Sequence, residues 1–308
     1  MSMRYPAGFI SAFYNPLQNP DAPTIGTATA TFGGITVAFT APTNVGGGPI
    51  TSFIATAKRT SDGVLFIASG ASSPITVTGL TQVAFTATVV AVNSYGPSAS
   101  SAASNSVTPL PAIGDAFGGG FLAGQISTAG NSIADYNLVV GPVSSAQNSS
   151  KTYKNANTGI TGADSVINGP QNTADMVAGG SSTVYPAAHF CNDLVIGGFS
   201  DWYMPAQNEL EVCYYNLKPG TGSNNTSSGI NANAVPARAS NYTAGTPAQT
   251  SATDFKTTGT EDFAEVGYWS STESSYTSGF FQAFANGTQV SYYKNFTISV
   301  RAVRRVAV

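Results

Sequence analysis

From Ala22 to Pro109 apolar side chains recur at alternate positions in short runs, and Gly, Pro, Asn or Asp residues separate the runs. Ile35-Thr36-Val37-Ala38-Phe39-Thr40 sets the pattern. It resumes in Ile50 to Ala57, in Val64 to Ser69 after the Asp62-Gly63 turn, in Ile75 to Leu80, and in the longer run Val83 to Val92. A period of two sends successive side chains to opposite faces, so each run can bury one face of a strand but no face of a helix. Runs this short, divided by turn residues, predict seven strands packed as two sheets, a β-sandwich over residues 22–109. The prolines of Thr108-Pro109-Leu110-Pro111 bias their neighbours to extended backbone, which predicts a stiff linker at 110–113 and a second domain over 114–308.

Composition narrows the partners. Only 9% of the 308 residues are charged, against roughly 25% in an ordinary soluble protein, yet hydrophobic residues reach 42%. Such a chain has enough apolar side chains for a core in each domain and a surface of neutral polar groups. The net charge is −3, and the 12 Lys and Arg are scattered except for Arg301, Arg304 and Arg305. That leaves no basic face for a phosphate backbone, so nucleic acid is not expected as a partner. No segment has the length of a membrane span, and the first residues lack the apolar run of a secretory signal, so neither membrane insertion nor export by the general secretory route is expected.

Residues 1–21 carry Arg4, Tyr5, Phe9, Phe13 and Tyr14 among prolines and small polar groups, without periodicity. Two readings fit: a disordered leader, or an arm whose aromatics dock on a neighbouring subunit or a larger assembly. Cys191 and Cys213 are too few for a disulfide framework and fall in apolar helical segments, as expected of reduced core thiols.

In the second domain, Gly114 to Ile126 holds five glycines but lacks the strand-before, helix-after context and the Lys of a phosphate loop, so a glycine-rich strand or hairpin is expected. Asn172 to Ala178 before Gly179-Gly180, and Pro186 to Leu194, predict two modest helices. The second carries His189 and Cys191, half of a metal site at most, since Asp193 and Asp201 make a poor remainder. A third helix follows Pro205, expected in its first turn; Glu209 and Glu211 suit its positive end, and Leu210, Cys213, Tyr214 and Leu217 recur at helical spacing until Lys218-Pro219-Gly220. Glutamates at i and i+2 point to different faces and cannot work as an acid/base pair. Residues 219–258, rich in Gly, Ser, Thr, Asn and Ala, predict a long excursion held by Tyr242 and Phe255.

Several of these segments resemble known families. Pro23-Thr24, Gly79-Leu80 and the run Ala84 to Gly96, with its closing Ala91-Val92-Asn93, resemble a fibronectin type III domain. Phe39 stands where that family usually has Trp and Phe85 where it usually has Tyr, each keeping a ring and losing a polar handle. Asp201-Trp202-Tyr203-Met204-Pro205 with Glu209-Leu210, then Tyr268-Trp269-Ser270-Ser271-Thr272-Glu273, then Val300-Arg301-Ala302-Val303-Arg304-Arg305 resemble the domain named after the C-terminal part of the Lcl collagen-like adhesin. That family occurs in bacterial surface proteins and in phage tail or virion proteins, and the resemblance implies a fold related to C-type lectins. The fold class is therefore mainly β with a minor α+β part: arm, sandwich, lectin-like α+β domain.

In such a fold Trp202, Pro205 and Trp269 should be scaffold, and Val300 to Val306 a terminal strand with one face buried. Arg301, Arg304 and Arg305 either pair with Glu273, Asp201 or Glu209, or aim at a ligand. Between these motifs lie Ser274 to Gln282 and Gln289 to Phe296, whose Tyr, Ser, Gly and Asn have the composition of recognition loops or of ordinary polar hairpins. As recognition loops they put Tyr276, Phe280, Phe281, Gln282, Ser291, Tyr292, Tyr293 and Asn295 forward as ligand-binding residues, with no catalytic residue and no cofactor; calcium, held by oxygen alone, leaves no firm sequence trace. No Gly-x-Ser-x-Gly elbow accompanies His189, so no enzyme is expected. The expectation is a bacteriophage appendage, assembled in the host cytoplasm and carried on the virion. Its arm and sandwich would meet other virion proteins, its tip would bind a host surface glycan or protein, and a homo-oligomer, a trimer by preference, would form. A purely structural decoration protein and a bacterial surface adhesin are the alternatives.

Overall fold

A computed structural model describes residues 18–308; Arg4, Tyr5, Phe9, Phe13 and Tyr14 of the expected arm lie outside the described residues. The chain divides into two compact units between Ala112 and Ile113.

The first unit contains β1 (Thr24–Thr31), β2 (Gly34–Thr40), β3 (Ser52–Arg59), β4 (Leu65–Gly70), β5 (Ile75–Thr78), β6 (Phe85–Asn93) and β7 (Gly96–Pro97). They form two sheets of order β1-β2-β5 and β4-β3-β6-β7, the fibronectin type III-like sandwich. Alternation does its work most plainly in β6, where Phe85, Ala87, Val89 and Ala91 are all buried and the residues between them are not. They meet Ile35, Val37 and Phe39 of β2 and Phe53 of β3. Phe39 packs on Phe53 with ring centroids 4.8 Å apart, and Phe85 meets Phe66 edge-on at 5.8 Å, so rings without polar handles fill this core.

Two polar devices close the sandwich. Asn93, 4% exposed, donates from Nδ2 to the carbonyls of Gln18 and Val45 and accepts at Oδ1 from the backbone N–H of Tyr95 and Gly96, tying three loops together. Beyond β7 the chain runs alongside β6 in an unusual ladder. Ser98, Ser101 and Ser104 donate backbone N–H groups to the carbonyls of Ala91, Val89 and Ala87. The N–H groups of the same three β6 residues donate to the serine Oγ atoms at 3.0, 2.9 and 2.9 Å. Each hydroxyl then donates to the next carbonyl of its own segment. Side-chain oxygens thus satisfy a strand whose neighbour advances three residues for every two of its own.

The second unit runs β8 (Ala116–Phe117), β9 (Gly120–Ile126), β10 (Tyr136–Val140), α1 (Val143–Ala146), β11 (Gln147–Thr152), α2 (Gly169–Gly179), α3 (Pro186–Asn192), α4 (Gln207–Leu217), β12 (Gly267–Ser275), β13 (Ser278–Ala283), β14 (Gln289–Tyr293), β15 (Thr297–Arg301) and β16 (Val303–Ala307). A four-stranded sheet has order β16-β10-β9-β8 and a five-stranded sheet β11-β15-β12-β13-β14, making this unit α+β. The glycine-rich segment from Gly114 is the β8–β9 hairpin. Residues 219–258 hold no α-helix or strand, only a single 3-10 turn at Thr253–Phe255, yet Tyr242 and Phe255 are buried, Tyr242 5.5 Å from Tyr214 and Phe255 5.4 Å from Phe121.

Several expectations are corrected here. Val300 to Val306 is not one strand: Ala302 exchanges backbone hydrogen bonds with Ala146 and Gly141, and the chain changes sheets there, from β15 to β16. Pro205 lies one residue before the α4 N-cap, Ala206, not in the first turn. Glu209 does lie in the first turn of α4, and both Glu209 and Glu211 are fully buried, each with an arginine. Glu209 accepts from Arg305 Nε at 2.8 Å, from the Tyr203 hydroxyl at 2.5 Å and from the Ala206 N–H at 2.8 Å. Burial still pushes its carboxyl above the usual range, with Arg305 opposing. Arg304 grips Asp201 with two bonds of 2.7 and 2.9 Å and lies 3.8 Å over the Phe199 ring. Arg301 pairs with Glu261 at 2.9 Å, donates to the Gly141 carbonyl at 2.8 Å and sits against Phe263; burial lowers its pKa to about 10. Glu273 takes no arginine, because the buried Lys294 occupies it.

Candidate ligand-binding site

The two segments read as recognition loops are strands joined by tight turns, and the register decides which side chains share a face. Phe281 pairs with Val290, Trp269 with Phe281, and Gly279 with Tyr292, so these residues lie on one face; Phe280 with Ser291 and Gln282 with Gln289 lie on the other. The β13–β14 turn is set by Gly287, whose φ of +75° and approach to Tyr214, 2.4 Å from where a Cβ would stand, admit no side chain.

The scaffold beneath is held by hydrogen bonds as well as packing. Trp269 donates from Nε1 to the Lys151 carbonyl at 3.0 Å and meets Tyr153 edge-on; the Tyr153 hydroxyl donates to the Ser271 carbonyl at 2.7 Å. Lys294, fully buried at the end of the β14 turn, donates to Glu273 and to the carbonyls of Thr158 and Tyr276. Burial lowers the Lys294 pKa, and Glu273 opposes that shift.

On this frame the eight expected ligand residues part company. Phe281, Tyr292 and Phe296 form one aromatic cluster, with Phe281 to Tyr292 at 6.1 Å and Tyr292 to Phe296 at 4.8 Å, and the Tyr293 ring stacks on Phe296 at 6.4 Å, inclined by 28°. Tyr292, Tyr293 and Phe296 are 43%, 53% and 48% exposed, so each is open to solvent in part. Tyr276 is exposed but lines a separate depression with Gly159, Asp164 and Glu273. Phe280 and Ser291 share the opposite strand face. Asn295 is exposed in the turn, its N–H donating to Asn157 Oδ1. Gln282 is buried and donates to the Gly287 carbonyl, so it is no part of a display surface: the strand period turns it toward Phe284 and the α4 side of the sheet.

Beside the cluster lies a groove of about 460 Å³. It opens where β12 and β15, joined in parallel by the single pair Tyr268 and Ser299, part. Phe281 and Tyr292 form one wall, Ala264, Val266 and Gly267 another, and Thr297 to Ser299 with Gln147 and Ser149 of β11 the rest. Among the described residues none that lines it is charged. Sequence reasoning missed the β11 and Ala264–Gly267 walls, which carry no aromatic or charged signal and meet the hairpin only through sheet order. Gly267 alone hinted at a close approach: a Cβ there would stand 2.8 Å from Phe281.

Cys191 and Cys213 are buried free thiols whose pKa burial pushes up. His189 Nε2 hydrogen-bonds the Gly180 carbonyl at 2.8 Å. Among the described residues no group of three His, Cys, Asp or Glu could hold a metal ion. The arrangement can stack, exclude water and offer neutral hydrogen bonds.

Comparison with solved structures returns muscle and fibronectin-type modules. A titin kinase with its flanking domains is 21% identical over 30% of this chain and 17% of that one, with a TM-score of 0.27. The twitchin kinase region from C. elegans is 18% identical over 36% of this chain and 21% of that one, TM-score 0.29. A human fourth FNIII domain is 18% identical over 35% of this chain and 92% of that one, TM-score 0.28. The chain spans only 17–32% of the length of the first three structures it matches. No curated protein matches. Residues 151–304, half of the chain, match the Lcl C-terminal domain and include the end of β11, β12 to β15 and all three longer helices. By that match the protein belongs to the Lcl C-terminal domain family.

Proposed function

We propose that this protein is a non-enzymatic surface-recognition protein, carried as an appendage of a bacteriophage particle, whose C-terminal unit binds a host surface glycan or protein. The observation that carries the reading is the half-exposed aromatic cluster of Tyr292, Tyr293 and Phe296, of which Tyr292 lines a groove whose described lining residues are uncharged. Aromatic faces at that exposure give contact area at low entropic cost, and they stack on the apolar faces of sugars as readily as on peptide side chains. The occurrence of the family in bacterial surface and phage virion proteins supports the setting, and the sandwich serves as spacer or attachment module.

The test is host adsorption by particles carrying the double variant Tyr292→Ala, Tyr293→Ala. Particle yield should stay normal while adsorption falls roughly five- to a hundredfold, the loss expected when two stacked rings worth about 0.5–1.5 kcal/mol each are removed. Normal adsorption would overturn the recognition role and favour a decoration protein. Deleting residues 1–20 should block incorporation into particles.

A further inference from the structure

The groove is built for a narrower ligand class than its aromatic rim alone requires. An anionic or cationic ligand would surrender hydration on entering and find no countercharge among the lining residues. Val266, Phe281 and Ile298 give the walls an apolar lining, and at about 460 Å³ the groove lies toward the small end of ligand sites, which run from roughly 300 to 1,000 Å³. That suits one or two pyranose rings.

Two polar groups are held ready in it. The Ala264 N–H donates to the Tyr268 hydroxyl at 3.0 Å, and that hydroxyl donates to Gln147 Oε1 at 3.2 Å. The relay fixes the Gln147 amide and leaves its Nε2 group without a partner among the described residues. Burial pushes the Tyr268 pKa up to about 12, which keeps the hydroxyl protonated and donating. Ser299, only 6% exposed, lines the same groove, and its hydroxyl has no hydrogen-bond partner among the described residues. An oriented amide donor and an unpaired hydroxyl beside apolar walls complement an amide carbonyl that carries a methyl group.

We propose that the groove binds a neutral N-acetylhexosamine. The acetamido oxygen accepts from Gln147 Nε2, the acetyl methyl rests against Val266, Phe281 and Ile298, the sugar ring stacks on Tyr292, and Ser299 bonds a ring hydroxyl. This deepens the recognition reading and rests on it for the choice of a saccharide over a peptide.

The experiment is saturation-transfer NMR on the full chain with four probes: N-acetylglucosamine, glucose, glucosamine and N-acetylneuraminic acid. The expected result is strongest transfer to the acetyl methyl of N-acetylglucosamine, at least tenfold weaker binding of glucose and glucosamine, and rejection of the carboxylated sugar. Gln147→Leu should weaken N-acetylglucosamine binding about tenfold, the loss expected for one neutral hydrogen bond, with its circular dichroism melt reporting the fold. Equal binding of glucose, binding of N-acetylneuraminic acid as tight as that of N-acetylglucosamine, or no transfer to any probe overturns the proposal, and the wild-type series alone decides this if Gln147→Leu fails to fold. Host adsorption separates the two claims: loss in the Tyr292, Tyr293 variant with no transfer to N-acetylglucosamine sinks this assignment and leaves the recognition reading standing.

Discussion

Glu211→Gln tests how the irregular segment 219–258 is held. Glu211 is completely buried on α4 and receives three side chains from that segment: Arg238 donates through Nε at 3.0 Å and through Nη2, the Tyr242 hydroxyl donates at 2.8 Å, and Asn231 Nδ2 donates at 2.5 Å. Four donors on one carboxylate replace the backbone ladder that this stretch lacks. Breaking a buried ion pair by removing one partner costs about 3–5 kcal/mol, because the other charge stays buried. Glutamine keeps one acceptor oxygen at the same place, so the lower figure applies, about 3 kcal/mol. At about 2–4 °C per kcal/mol for a domain of this size, the melting transition of the second unit should fall by about 6–12 °C. Calorimetry of the full chain measures it, with the sandwich transition as an internal control that should not move, and limited proteolysis should open 219–258 first. A shift below about 2 °C would refute the reasoning, since it would mean that the four donors are satisfied by water and that the segment packs independently of the carboxylate.

Two further predictions follow from the same polar architecture. Ser101→Ala strips the acceptor from the Val89 N–H in the middle of the serine ladder; it should cost about 1–2 kcal/mol and collapse hydrogen-exchange protection at the Val89 amide, while neighbouring β6 amides keep theirs. Arg304 holds the Asp201 carboxyl below its usual value of 3.8, chiefly through its hydrogen bonds. A depressed folded-state pKa stabilises above the unfolded value and loses that contribution as pH falls through the folded one. The stability gap between wild type and Asp201→Asn should therefore be constant near neutrality and close below pH 3.8, which denaturant titrations at several pH values would show.

How far the chain could be read from its letters depends on the range of the interaction. Strands such as β2 and β6 announce themselves, because large and small residues alternate within one run. Arg304 and Arg305 found the acids expected of them, Asp201 and Glu209, which lie beside aromatic motifs. Arg301 instead reaches Glu261, and Glu273 is taken by Lys294, choices made by chain paths that no local period encodes. The terminal strand is two strands because Ala302 meets α1, a helix of four residues without a helical signature. The site divides the same way. Tyr292 and Tyr293 were legible as aromatics in a polar run, whereas Gln147 and Ser299 became site residues only when a parallel strand pair parted beside them.

The segment that follows β7 looks by composition like a flexible spacer, yet its serines make it a strand of a different stride. A conventional edge strand commits every second side chain to the core. Here Ser98, Ser101 and Ser104 carry the attachment, and Ala99, Ser100, Ala102 and Ala103 between them stand in solvent. Two positions in three are thus free to change without disturbing the sandwich. That makes this margin the place where foreign side chains, or an epitope, can be written onto the module at the least cost to its stability.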